Sequence, residues 1–195
     1  PAKNRDLFRT QYNLNSNEVA IGIVGRIVPV KNHAFFIEVI KNIYKEDLQN
    51  PPAFLIIGDG ELKEALQRKL IEYGIAYSEK KFSPNCRVLF TSWLTNINEI
   101  MNGLDIIALT SLNEGTPLSL IEGQAFAKPV VSTNVGGVKD TMINNKTGFY
   151  VEREDVNGYT EKMQMLIADA EMRKGFGSAG KQFIQENFSK EIEVE

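Results

Sequence analysis

Cysteine, histidine and tryptophan each occur once in this 195-residue chain. Cys86 alone excludes an intrachain disulfide and a cysteine metal site, and it fits a reducing compartment. It also lacks the neighbouring His and acid that would mark a nucleophile. No apolar run approaches the roughly 20 residues that would span a bilayer, and no signal-peptide pattern opens the chain. Positive charge is not in excess: 22 Lys and Arg face 25 Asp and Glu, for a net charge of -3. That balance argues against nucleic acid or an anionic membrane as a partner. No Asp-x-Asp pair follows a strand-like run, so no divalent metal or other cofactor is indicated. Internal repeats, low-complexity tracts and interior linkers are absent too.

What is present is ordinary for a globular protein: 43% hydrophobic and 24% charged residues. The length suits one well-filled domain over residues 1–195. The chain opens on Pro1 rather than Met, followed by polar Ala2-Lys3-Asn4-Arg5-Asp6, as a segment from within a longer protein would.

Short apolar runs alternate with amphipathic segments. Strands are expected at 19–24, 53–57, 87–90, 105–109, 129–132 and 148–151. Helices are expected at 33–43, 61–73, 98–102, 117–127, 156–168 and 171–187, with a short one after Gly137. This is the pattern of an α/β protein: a doubly wound, Rossmann-like parallel sheet with helices on both faces. Ligands of such sheets sit at the carboxyl ends of the strands, where strand order reverses, so the residues just after strands matter most.

After the first strand comes Gly25-Arg26-Ile27-Val28-Pro29-Val30-Lys31-Asn32-His33. Gly25 permits close backbone approach, and Arg26 and Lys31 set two cations beside a helix start, suited to a phosphate. Two solvated surface cations are the alternative. After the strand at 105–109 comes a loop with Glu114 and Gly115, then Thr116-Pro117 as an expected N-cap and first-turn pair. The free N–H groups of that turn would favour an anion. Glu122 lies more than a turn into the same helix; both carboxylates suit vicinal hydroxyls, although Glu114 could simply complement the helix dipole.

The run EGTPLSLIEGQAFAKPVVSTNVGG, 114–137, resembles the signature of the retaining GT-B glycosyltransferases of group 1, or family four, including seven residues between Glu114 and Glu122. VGRIVPVKNH, LIIGDGE and NNKTGFYV match in order, and the resemblance extends from Arg5 to Ser189. It implies one lobe of a GT-B fold: the C-terminal, donor-binding half of a two-lobed enzyme, with residues 1–18 as an inter-lobe lead-in. The implied activity is hexosyl or related transfer with retention, from a UDP- or GDP-sugar to a sugar or lipid-linked sugar acceptor in polysaccharide biosynthesis. By position, Arg26 and Lys31 would bind the diphosphate, with backbone groups around Gly115, Thr116, Pro117 and Leu118. Glu122 would bind the ribose and Glu114 the transferred sugar, while Ser92, Trp93 and Leu94 would line the base. The full enzyme is expected in the cytoplasm, any attachment to the inner face of the membrane being made by the missing N-terminal lobe. The final helix with Phe188-Ser189 would lead back to that lobe, and the isolated half is expected to be inactive.

Several positions depart from the family pattern: Ser92 and Ala127 stand where glycine is common, and Gly123-Gln124 replaces a more frequent Glu-Ala. Gly58-Asp59-Gly60 lacks the third glycine of a dinucleotide fingerprint, Lys63 standing in its place, and reads as a tight turn. His33 reads as a helix-end packing residue, and Trp93 as either a base platform or a cover for the sheet edge. Gly136-Gly137 permits close approach of a loop to a ligand or makes a plain turn. A nucleotide-sugar epimerase lobe and a catalytically silent nucleotide-sugar-binding domain remain as alternatives.

Overall fold

A computed structural model describes residues 2–46 and 50–188. Seven strands form a single sheet: β1 (Ala20–Val24), β2 (Ala53–Ile57), β3 (Tyr77–Ser78), β4 (Val88–Thr91), β5 (Ile106–Leu109), β6 (Val130–Thr133) and β7 (Gly148–Val151). Their order is β3-β4-β2-β1-β5-β6-β7, and every pairing is parallel. The chain therefore lays β2, β3 and β4 on one side of β1, with β3 at the edge and β4 between it and β2, and then β5, β6 and β7 on the other. The order reverses between β1 and β5, which lie side by side with Ile21 opposite Ile106 and Ile23 opposite Ala108. This doubly wound α/β sheet is the one expected from the alternating pattern.

The helices are α1 (Ala2–Tyr12), α2 (His33–Tyr44), α3 (Lys63–Glu72), α4 (Ile97–Gly103), α5 (Leu118–Ala125), α6 (Val138–Thr141), α7 (Val156–Ala168) and α8 (Ala170–Asn187). Alternate strand residues feed two separate cores. Ile21, Ile23, Phe54 and Ile56 pack with Phe36, Ile40, Tyr159 and Met163 under α2 and α7. Ala20, Leu55, Ile57 and Ile107 pack with Phe8, Met101 and Leu120 under α1, α4 and α5. Because both faces are covered, the strands read as continuous apolar runs instead of alternating ones. The buried Tyr159 hydroxyl bridges strands, donating to Val131 O at 2.7 Å and accepting the Leu109 N–H at 3.2 Å.

Helix α1 and strand β3 were not anticipated from the sequence. Within the expected lead-in, α1 buries Phe8, Arg9 and Tyr12, and Phe8 lies so close to α4 that a carbon added at Gly103 would meet its ring at 2.1 Å. Arg9 is 3% exposed; its guanidinium donates to Gly103 O at 3.0 Å and pairs with Asp105 at 3.2 Å. Helix α5 is shorter than expected, and its cap differs. Pro117 occupies the capping position without a side-chain hydrogen bond, so Thr116 is not the N-cap. Proline has no side-chain acceptor, and the chain turns into the helix one residue later than the Thr-Pro pair suggested. Ser189, at the end of the family-like stretch, lies outside the described residues.

Candidate functional site

Three loops meet at the carboxyl ends of the central strands: one after β1, one after β5 and one after β6. The β1 loop carries Gly25, Arg26 and Lys31, the last closing a single 3-10 turn over Pro29–Lys31. Asn32 then takes a left-handed conformation, φ 48°, to enter α2. Thr110, just past β5, fastens this turn: its Oγ1 lies 3.1 Å from both Lys31 O and Asn32 O. Leu112 N–H donates to Val30 O at 2.8 Å, a second tie between the same loops.

Across this seam Lys31 meets Glu114. Lys31 Nζ lies 2.6 Å from Glu114 Oε1, and Ser111 Oγ donates to the same oxygen. The Glu114 side chain is only 8% exposed, while that of Lys31 keeps 28%. The cation and the acid singled out in the sequence are therefore brought together. Their pair bridges the point where strand order reverses.

The β6 loop supports the Glu114 loop from behind. Gly136 (φ 48°) and Gly137 are pressed against it: added side-chain carbons would meet Glu114 O at 1.8 Å and Gly115 O at 2.0 Å. Gly137 N–H donates to Glu114 O at 3.1 Å, and Thr133 Oγ1 to Ser111 O at 2.7 Å. Where close approach of a loop to a ligand was expected at this glycine pair, the approach the structure shows is to the Glu114-Gly115 backbone. Gly58 and Gly60 work similarly on the other side, where added carbons would meet Gly25 O at 2.1 Å and Ile27 O at 2.3 Å. The Gly58-Asp59-Gly60 turn is a backstop for the β1 loop, a function its spacing alone did not signal.

Two glycines differ. A carbon at Gly115 would meet nothing within 4 Å, and one at Gly25 only Lys31 Cε at 3.9 Å. Open space therefore lies before both backbones, between packed glycines that brace them. The N–H groups of Gly115 and Thr116 have no backbone acceptor among the described residues. Arg26, on the same rim, is exposed and makes no side-chain hydrogen bond or ion pair among the described residues. Leu118, the first residue of α5, is 60% exposed, whereas Pro117 is buried.

Glu122 sits in the second turn of α5, half-buried, with no polar partner for its carboxylate among the described residues. Burial pushes its carboxyl above the usual carboxylate range. The neighbouring departures from the family pattern have packing reasons. Gly123 lies where a side chain would meet Ile107 at 2.5 Å, and buried Gln124 donates to Thr141 O at 2.7 Å, joining α5 to α6.

Ser92, Trp93 and Leu94 follow β4, which β2 separates from β1. They lie at the same end of the sheet but make no contact with the Lys31–Glu114 pair that a hydrogen bond or ion pair would record. Ser92 and Trp93 are exposed, and Trp93 and Leu94 line a cleft of about 210 Å³ with Phe8, Gln11, Tyr12 and Glu99. The α1 wall of that cleft was missed with α1 itself. His33 is 2% exposed and neither ring nitrogen has a partner among the described residues, in keeping with a packing residue. Among the described residues no cluster of His, Cys, Asp or Glu is placed to hold a metal ion, and no helix is long and apolar enough to cross a membrane.

The sequence profile of the glycosyl transferases group 1 family matches residues 4–183. A UDP-Gal:alpha-D-GlcNAc-diphosphoundecaprenol alpha-1,3-galactosyltransferase of Escherichia coli is 31% identical over 170 residues, covering 87% of this chain and 42% of that protein. The capsular polysaccharide biosynthesis glycosyltransferase CapM of Staphylococcus aureus is 29% identical over 97% of this chain and 47% of its own length. The chain thus spans under half the length of these curated relatives. Among solved structures, the C-terminal domain of a group 1 family glycosyl transferase, LpcC of Francisella tularensis, superposes with a TM-score of 0.80, covering 96% of this chain and 94% of that one at 23% identity. A mutant of TarM from S. aureus, crystallised in complex with UDP among other ligands, gives 0.79 over 89% of this chain and 33% of its own, at 26% identity. With the matched profile spanning nearly the whole described fold, the chain belongs to the group 1 glycosyl transferases.

Proposed function

We propose that the chain is the donor-binding lobe of a retaining glycosyltransferase and takes a UDP- or GDP-sugar. The observation that carries this reading is the Lys31–Glu114 pair, set between the open backbones of Gly25 and Gly115. A diphosphate there would find Lys31 and Arg26 as cations and the N–H groups of Gly115 and Thr116 as fixed donors. These groups act on the departing nucleoside diphosphate, where negative charge grows as the glycosidic bond breaks. Stabilising the leaving group more in the transition state than in the ground state is what accelerates transfer. No cofactor takes part in this reading. The free carboxylate of Glu122 would accept from the ribose hydroxyls and Glu114 from the transferred sugar, while the Trp93-Leu94 cleft would hold the base. UDP is the first candidate, because it is named as donor nucleotide in the E. coli relative and bound in the TarM mutant. A sugar or lipid-linked sugar acceptor, bound by a second lobe, is part of the same proposal.

Calorimetry with UDP, GDP, ADP and the matching nucleosides tests it. One diphosphate should bind with a Kd between micromolar and millimolar. Lys31→Ala should weaken that binding by about tenfold, the scale of one lost charge-assisted bond, and leave the nucleoside unaffected. No binding at millimolar concentration by the folded chain, or equal losses for diphosphate and nucleoside, would sink the reading.

A further inference from the structure

The two groups holding Glu114 are not equivalent. Both Lys31 and Ser111 donate to Oε1, and Oε2 has no protein partner among the described residues. Lys31 sits on a flexible stem and is the cation that an incoming diphosphate would attract. A diphosphate carries more charge than one carboxylate, so in the donor reading Lys31 exchanges its partner when the donor arrives. That exchange would strip a carboxylate only 8% exposed of its ion pair. A nearly buried carboxylate left without donors is costly and free to rotate, so something must keep hold of it.

Ser111 has the required properties. It is fully buried, at the point where β5 gives way to the loop. Its backbone carbonyl is held by Thr133 Oγ1 at 2.7 Å, and the next residue, Leu112, by Val30 O at 2.8 Å. Its hydroxyl cannot follow the diphosphate as the lysine can. We propose that Ser111 is the positioning residue that keeps Glu114 Oε1 in place, with Oε2 turned to the transferred sugar, once Lys31 has moved to the diphosphate. The inference rests on the donor reading and adds to it the group on which sugar recognition depends.

The test compares Ser111→Ala with the unaltered chain for two ligands: the nucleoside diphosphate that binds, and its sugar forms (UDP-glucose, UDP-galactose, UDP-N-acetylglucosamine or GDP-mannose). Both ligands draw Lys31 from Glu114, so losing Ser111 should weaken both, but the bare diphosphate takes nothing from the orientation of Oε2. The sugar form should lose about five- to tenfold more than the diphosphate, the worth of one ordinary hydrogen bond. Gly137→Ala serves as the comparison for general damage, since its added carbon meets Gly115 O at 2.0 Å and displaces the whole loop. That variant should lower both affinities together. Ser111→Ala behaving like Gly137→Ala, or leaving the sugar-to-diphosphate affinity ratio unchanged, overturns the positioning role while the donor reading stands. If the unaltered chain binds neither ligand, the donor reading falls and this inference with it.

Discussion

At the first turn of α2 the His33 ring is buried, with both nitrogens unpartnered among the described residues. Burial, and then the charge of Lys31, lower its pKa from 6.5 to about 4. The folded chain therefore keeps it neutral at acidities where the unfolded chain takes up a proton. Its share of stability is complete above about pH 6.5 and is lost as the pH falls toward 4. Between pH 7 and pH 5 this one group should remove about 2 kcal/mol. Urea unfolding at the two pH values measures the loss, and His33→Leu should reduce it; an undiminished pH dependence would assign the effect elsewhere. The same scale shows why only part of the candidate site was legible. Lys31 and Glu114 stand out in the sequence as charges just past strand ends, and Glu122 as an acid separated from Glu114 by seven residues, on a helix with an apolar face. Ser111 and Thr133 do not, since a hydroxyl gains meaning only from the partner the fold brings to it. His33, expected as a helix-end packing residue, is buried at the start of α2.

At the C-terminus of α5 the chain reverses through Ala127, whose φ is 56°. Ala127 N–H donates to Gln124 O at 2.8 Å and Lys128 N–H to Gly123 O at 2.9 Å, a Schellman closure. A residue with a Cβ pays about 1–2 kcal/mol there, against about 0.4–1 kcal/mol of extra chain entropy that glycine would bring to the unfolded state. The first exceeds the second, and exposed Ala127 has little packing to lose. Ala127→Gly should therefore raise stability by about 0.5–1 kcal/mol, read as a Tm higher by about 1–4 °C; a lower Tm would show that the turn is not strained. Element boundaries agree with the sequence pattern at β7, which opens on Gly148, and at α7, which Asp155 caps, and are poorer at α5, where Pro117 lies outside the helix. Helix α1 escaped notice because its docking relies on a buried arginine, which a hydrophobic pattern counts as a surface residue. Strand β3 is two residues long, too short to carry a period.

For the whole molecule, alternation of apolar runs with helices identified the parallel sheet, but only the folded chain reveals the strand order and hence the meeting of Lys31 with Glu114. The proposal of a second lobe draws on the relatives, of which the chain covers 42% and 47%. If that lobe supplies the acceptor and closes the site to water, the chain alone should bind its nucleotide sugar yet release no nucleoside diphosphate above the uncatalysed rate. Chromatography of a prolonged incubation checks this, and steady release would mean that the chemistry is complete in one lobe. The cross-ties among the three loops have a kinetic consequence. Thr110 and Leu112 bind the β1 loop, Thr133 and Gly137 the β5 loop, so the rim is already ordered before any ligand arrives. In the proposed function, capture of the donor would then involve the swing of one ammonium, a side-chain event of picoseconds to nanoseconds, instead of a microsecond-to-millisecond lid closure. Encounter would be governed by diffusion and local charge, and the slow steps of turnover would be left to the docking of the two lobes.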